Sequence, residues 1–177
     1  IHGQITTQNE TSRTSSPRSI QSVALENRSL AVNTFLAEGK ALVLQETRGV
    51  LGSDDFLGPD RVVASAKHFV GDGGTFDGRD QGDNRSSEAD FRDIHAAGYP
   101  PAIAAGVQSV MASFNSFHGR KLHGHRQMLH DVLVGRLGFD GFVVGNMNGH
   151  GQVEGCSPVA CAESFNAGLD LFMAPDS

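Results

Sequence analysis

Short apolar runs alternate with helical stretches after residue 60, and this alternation predicts the architecture. Four apolar runs, several of them β-branched, are predicted strands at residues 62–70, 109–115, 141–145 and 169–174. The stretches between them are long enough for the crossover connections that join parallel strands. We therefore expect an α/β fold whose strands are parallel and buried on both faces.

Three predicted helices occupy the stretches between these strands. The first opens at Ser87, where two acidic residues in the first turn suit the helix dipole, and it is broken at Gly98. The second spans residues 125–137, and Gly138 follows its apolar stripe as a C-terminal cap. The third is expected over residues 158–168, because proline suits a first turn and glycine a helix end.

The amino-terminal third of the sequence differs from the rest in its pattern of polar and apolar residues. Residues 1–19 are polar and rich in Ser and Thr, so we expect them to be disordered, or ordered only by docking on something else. Residues 20–52 carry apolar side chains at loose helical spacing, interrupted by Gly39, and are predicted to form one or two helices.

The composition of the chain indicates which classes of binding partner are not expected. The 177 residues include 14 Lys and Arg against 20 Asp and Glu, which gives a net charge of −6 and no basic cluster. A nucleic-acid surface is therefore not expected. The longest apolar runs have four residues, as at 41–44, whereas a membrane-spanning helix needs about 20. The length also falls short of the ~250 residues of a complete eight-fold (β/α) barrel.

Polar residues follow the apolar runs at the ends of the predicted strands. In parallel α/β folds these carboxyl ends meet at one edge, where functional residues gather. Hydrogen-bond donors and acceptors there suit a ligand with many hydroxyl groups. The candidate residues are Lys67, His68, Asp72, Ser113, Asn115, Asn146 and Met147.

Three motifs at residues 62–75, 94–124 and 138–156 resemble, in order, the barrel domain of glycoside hydrolase family 3. This is the family of β-glucosidases and glucan exohydrolases. The resemblance covers residues 53–177 and implies a partial (β/α)8 TIM-like barrel of about four parallel β/α units, equivalent to the carboxyl-terminal half of the family domain. No clear match is visible before residue 52.

The resemblance implies a retaining glycosidase that removes β-linked glucose or similar sugars and needs no cofactor. Such an enzyme uses two carboxyl groups about 5–5.5 Å apart, one as nucleophile and one as acid and base. Lys67 and His68 match the family pair that binds sugar hydroxyls in the first subsite. Ser113 and Asn115 match a strand end close to that subsite.

The sequence departs from the family at the expected nucleophile. Asn146 stands where the family has Asp, and Met147 stands in place of a Trp. An amide cannot form the usual glycosyl ester, so we expect very low activity. In the β-glucosidase branch, which this chain resembles more than the hexosaminidase branch, the acid/base comes from a second domain that the chain does not contain. The alternatives are a carbohydrate-binding or scaffold protein without catalysis, and a truncated remnant.

A partial barrel would leave sheet edges unpaired. We therefore expect a companion domain or a second copy of the chain as partner, besides the β-glucoside or oligosaccharide. Cys156 and Cys161 can close a short disulfide loop in an oxidising compartment. Their spacing resembles that of exported bacterial family members, which implies a periplasmic or extracellular parent.

Two further groups of residues allow more than one interpretation. An acidic, glycine-rich loop has the carboxylates of a calcium site but lacks the usual spacing of the ligands. We therefore prefer the interpretation that this loop shapes the sugar pocket. It contains Asp72, Asp77, Asp80 and Asp83.

Four histidines lie close together in the sequence but lack the spacing of a metal-binding motif, so they are expected to be solvated or locally hydrogen-bonded. They are His118, His123, His125 and His130.

Overall fold

The computed structural model describes residues 4–6 and 62–175. The strands of its main sheet are β1 (Gln4–Thr6), β2 (Ser65–Phe69), β4 (Ser109–Ala112) and β7 (Phe142–Val144). They lie side by side in the order β1-β2-β4-β7. The three predicted strands at 62–70, 109–115 and 141–145 are confirmed, each in a shorter form.

The register of the main sheet sets its carboxyl edge. Strand β2 pairs parallel with β4, and β4 pairs parallel with β7. Lys67 pairs with Met111, and Met111 pairs with Val144. An isolated parallel bridge then joins Val144 to Leu171. These four residues lie at one level, so the chain leaves all three parallel strands at the same edge of the sheet.

Strand β1 corrects the expectation that every strand is parallel. Its residues pair antiparallel with β2, with Ile5 opposite Ala66. The polar segment 1–19 thus contributes three residues to the main sheet. The rest of that segment and the predicted helices of residues 20–52 lie outside the described residues.

The fourth predicted strand, at residues 169–174, is wrong as a strand and is reduced to the bridge at Leu171. The Asp170 carboxylate explains the loss, because it accepts the Val143 N–H at 2.8 Å, where a strand would present a backbone carbonyl. The Val143 carbonyl still accepts from Asp170 N–H at 2.9 Å and from Leu171 N–H at 3.1 Å. A full barrel is not present in the described residues.

A second, small sheet lies beyond the carboxyl end of β4. Its strands are β3 (Asp83–Asn84), β5 (Ser116–Phe117) and β6 (Arg120–Lys121). β5 pairs parallel with β3 and antiparallel with β6. Its hairpin leads into a 3₁₀ turn, Leu122–Gly124. Three other 3₁₀ turns are Asp72–Gly74, Phe76–Gly78 and His150–Gln152.

The first predicted helix opens where its cap predicts. Ser87 Oγ accepts the backbone N–H of Asp90 at 3.1 Å at the start of α1 (Glu88–Asp90). A π-helical segment, π1 (Phe91–His95), continues it. The chain breaks near Gly98 as expected, and α2 (Tyr99–Ala104) begins with proline in its first turn.

The second predicted helix is confirmed in place but is π-helical, as π2 (Gln127–Arg136). Leu137 N–H, for example, donates to Val132 O, five residues back, at 2.9 Å. Gly138 has a φ of 71° and caps the end, as expected. The third helix, α3 (Ala162–Asn166), begins later than Pro158, because residues 157–160 form a tight turn before it.

The core lies between the main sheet and the helices. Its fully buried side chains include Phe69 and Val110 from the strands and Leu129 and Leu133 from π2. The α/β class with parallel strands is thus confirmed. None of the helices in the described residues is long and apolar enough to cross a membrane.

Candidate active-site rim

The carboxyl edge of β2, β4 and β7, called the rim below, carries most of the candidate residues. Lys67 and His68 stand at the end of β2, and Asn146 follows β7 by two residues. Neighbouring parallel strands lie about 4.8 Å apart. With β4 between them, the ends of β2 and β7 are therefore roughly 10 Å apart.

At the β2 end of the rim, His68 and Asp72 form a pair. The His68 Nδ1 atom lies 3.1 Å from Asp72 Oδ2, and both side chains are partly exposed. This contact orients the imidazole, so its other nitrogen faces away from the carboxylate. The pair borders a cleft of about 330 Å³, which is lined by His68, Asp72, Gly73, Thr75, Gly78, Arg79 and Asp80.

At the β7 end, hydrogen bonds to backbone groups hold the loop that carries Asn146. The Asn146 carbonyl accepts from Gly149 N–H at 2.8 Å, and Asn146 Oδ1 accepts from Met147 N–H at 2.9 Å. Asn148 N–H donates to Met173 O at 2.7 Å. Met147 is half-exposed and available to a ligand. The loop therefore presents residues 146 and 147 on a fixed frame.

The two candidates from β4 lie below the surface. Ser113 and Asn115 are both fully buried. Ser113 N–H donates to Phe69 O at 2.7 Å, and the Asn115 carbonyl accepts from Leu122 N–H at 3.1 Å. In this arrangement they shape the floor of the rim, and direct sugar contact from their side chains stays a prediction.

His123 lies at the rim, although the sequence placed it only among four clustered histidines and gave it no role there. It is fully buried, and its Nε2 atom accepts the backbone N–H of Asn146 at 2.9 Å. Burial lowers the pKa of His123 to about 4, although the backbone of Ser113 acts in the opposite direction. No local pattern could reveal its role, since its partner lies 23 residues away along the chain.

Polar contacts tie the three rim loops to one another. The Lys121 ammonium donates to Phe114 O at 2.9 Å and to Gln81 O at 3.0 Å. Gln81 Oε1 accepts from Gln152 Nε2 at 2.8 Å. The loops after β2, β4 and β7 are thus cross-linked by three side chains, those of Lys121, Gln81 and Gln152.

The histidines of residues 118–130 fall into two pairs. His118 and His130 are exposed and hydrogen-bonded, to Ser86 O at 2.9 Å and Asp131 Oδ1 at 2.9 Å. His123 and His125 are buried, so these two rings are not solvated, which was one of the two expected alternatives. In the part of the chain that the structure describes, no three His, Cys, Asp or Glu side chains converge as a metal ion requires.

The carboxylates of the acidic loop after β2 make separate contacts. Asp72 contacts His68, as described above. Asp83 Oδ1 accepts from Gly119 N–H at 2.7 Å, and its other oxygen accepts from Arg85 at 3.2 Å. Asp80 lines the cleft beside Arg79. These carboxylates shape the loop and its cleft.

Cys156 and Cys161 form a disulfide in the loop that follows Asn146. It encloses the turn in which Ser157 and Ala160 exchange backbone hydrogen bonds of 2.9 and 3.3 Å. His150 Nε2 contacts the Pro158 carbonyl at 2.8 Å. The disulfide loop is thereby fastened to the start of the β7 loop.

Comparison with known proteins yields one family. The family model described as glycosyl hydrolase family 3 N terminal domain matches residues 23–177. That region begins well before the first of the three motifs. A β-xylosidase of Formosa agariphila is 38% identical over 96 residues, which is 54% of this chain and 13% of that protein. A probable β-glucosidase L of Emericella nidulans is 35% identical over 63% of this chain and 14% of its own length.

Solved structures agree with the sequence comparison. An exo-1,3/1,4-β-glucanase from a Pseudoalteromonas species is 48% identical with a TM-score of 0.78, covering 83% of this chain and 18% of that one. A β-glucosidase from Listeria innocua, at 24% identity and a TM-score of 0.72, shares the fold. The chain thus spans less than a fifth of the length of the β-xylosidase, the β-glucosidase L and the exo-glucanase.

Proposed function

The chain belongs to glycosyl hydrolase family 3, and we propose that its rim binds the terminal sugar of β-glucosides but hydrolyses the glycosidic bond very slowly. The observation that carries this proposal is the placement of Asn146. It lies at the same sheet edge as Lys67 and His68, on a loop fixed by backbone hydrogen bonds. The names of the relatives, which include β-glucosidases, a β-xylosidase and an exo-glucanase, support β-linked glucose or xylose as the bound sugar.

We propose that residue 146 is the nucleophile position of a retaining mechanism. An Asp there would accept the Met147 N–H on one oxygen, as Asn146 now does, and keep the second oxygen for the anomeric carbon. Hydrogen bonding to the charged form favours an ionised carboxylate. The amide of Asn146 supplies neither the charge nor the second oxygen, so binding persists while the glycosyl ester does not form.

In this proposal the companion domain expected from the sequence supplies the acid that protonates the leaving group. The chain itself contributes Lys67, the oriented His68 and the loop of residues 146 and 147. Loss of a nucleophile lowers turnover by at least about 10⁴-fold in other hydrolases, and we expect a comparable deficit here.

Restoring the carboxylate tests the proposal. 2,4-Dinitrophenyl β-glucoside is the substrate, because its leaving group departs without a proton donor. The Asn146→Asp variant should release a burst of dinitrophenolate and gain the mass of one glucosyl residue, whereas the unchanged chain should do neither. Asn148→Asp is the matched control, since it adds the same charge two residues along the same loop.

Calorimetry with glucose and cellobiose tests binding in the unchanged chain. Heat of binding that is lost in Lys67→Ala and His68→Ala variants is the expected result. Turnover by the unchanged chain at the rate of active family enzymes would overturn the assignment of Asn146. Absence of any sugar binding by a folded chain would favour a remnant without this function.

A further inference from the structure

Below the rim, the imidazole of His123 occupies the space between the β4 and β7 loops. The chain reaches it through the hairpin of β5 and β6, and Leu122 N–H donates to the Asn115 carbonyl at 3.1 Å. Leu122 is itself fully buried, so the turn that bears His123 is anchored at the preceding residue. The ring therefore has a fixed position relative to the end of β4.

The β7 loop is closely packed around this ring. A Cβ added to Gly149 would collide with the Nε2 and Cε1 atoms of His123, and one added to Gly145 would lie 3.5 Å from Cδ2. Between these two glycines, Asn146 N–H donates to Nε2 at 2.9 Å. The loop thus lies against the His123 ring at Gly145, Asn146 and Gly149.

We infer that His123 is a positioning residue, which holds the backbone of residue 146 and so aims the side chain at that position into the rim. The inference rests on the proposed role of residue 146. A backbone N–H only donates, so Nε2 carries the lone pair and the neutral ring carries its proton on Nδ1. His123 does not need to touch the sugar for this role.

The electrostatics of the site keep the acceptor available. Burial holds the pKa of His123 down to about 4, although the backbone carbonyl of Ser113 favours the charged ring. The ring is therefore neutral from about pH 5 upward, and Nε2 remains an acceptor. A protonated ring would turn a donor toward the Asn146 N–H, and the loop would lose its anchor.

The two variants His123→Gln and His123→Met separate positioning from packing. Gln and Met have similar length and volume, but only Gln can place an oxygen near the site of Nε2. The first measurement is amide hydrogen exchange at residue 146 in the otherwise unchanged chain. Exchange should accelerate about 10-fold in His123→Met and stay within about 3-fold of the parent in His123→Gln, as expected for loss of one buried hydrogen bond.

The second measurement uses dinitrophenyl glucoside in the Asn146→Asp background. His123→Met should lower the rate constant of the burst at saturating substrate by about 10- to 100-fold, the scale of a small misplacement, and change the half-saturating substrate concentration of the burst little, whereas His123→Gln should restore most of the burst rate. Equal exchange at residue 146 in the Gln and Met variants would overturn the inference. If Asn146→Asp shows no burst, the proposed function fails, and the exchange result still decides whether His123 holds residue 146.

Discussion

Acidification should destabilise the chain through His123, and the size of the effect follows from its surroundings. The ordinary pKa of 6.5 applies in the unfolded chain, whereas burial lowers the pKa to about 4 in the folded state. Between these values the unfolded state binds a proton that the folded state does not. The contribution of His123 to stability is therefore complete above about pH 6.5 and is lost as the pH falls toward 4.

The magnitude can be worked out from this difference in pKa. Integration from pH 7.5 to pH 5 gives a loss of about 2 kcal/mol in the free energy of unfolding for this one ring. Burial also lowers the pKa of His95 and His125, and these rings add losses of the same sign. The effect of His123 must therefore be measured as a difference between two proteins.

Urea unfolding followed by far-ultraviolet circular dichroism at pH 7.5 and pH 5 provides the assay, because the chain has no Trp and only one Tyr. The parent chain should lose about 2 kcal/mol more than His123→Gln between the two pH values, since Gln does not titrate. Both proteins retain His95 and His125, whose contributions cancel. An equal loss in the two proteins would refute the argument that His123 is neutral and buried in the folded state.

Three further substitutions test individual contacts, each by the same unfolding measurement. Gly149→Ala should destabilise the chain by at least about 1 kcal/mol, because the added Cβ would meet the His123 ring, although the φ of −63° itself suits alanine. Gly98→Ala is the control, since a Cβ there meets nothing within 4 Å, and it should not destabilise the chain. Ser87→Ala should cost about 1 kcal/mol through loss of the helix cap, and restoration by Ser87→Thr would confirm the cause. Leu133→Ala, at a fully buried site, should cost about 3 kcal/mol, and a loss below ~1 kcal/mol would contradict its place in the core.

Strand positions could be predicted where the local pattern and the final environment agree. Strands β2, β4 and β7 lie in apolar runs whose Ala66, Phe69, Val110 and Val143 are buried in the core, so their pattern located them. The serine at 87 and the glycine at 138 act through neighbouring backbone groups, and both helix boundaries followed from the sequence. Residues 169–174 show the limit, because the Asp170 side chain takes a ladder position that only the folded sheet makes available.

The candidate site shows the same division. The sequence by itself determined that polar residues follow the parallel strands and that the motifs are those of a glycosidase family, and it predicts that Asn146 occupies the place of a carboxylate. Only the tertiary structure decided that Gln4–Thr6 pairs with β2, that Ser113 and Asn115 are buried, and that His123 binds the backbone of residue 146. Periodicity and caps act over a few residues, whereas each of these contacts joins segments far apart in the chain, and their geometry exists only after folding.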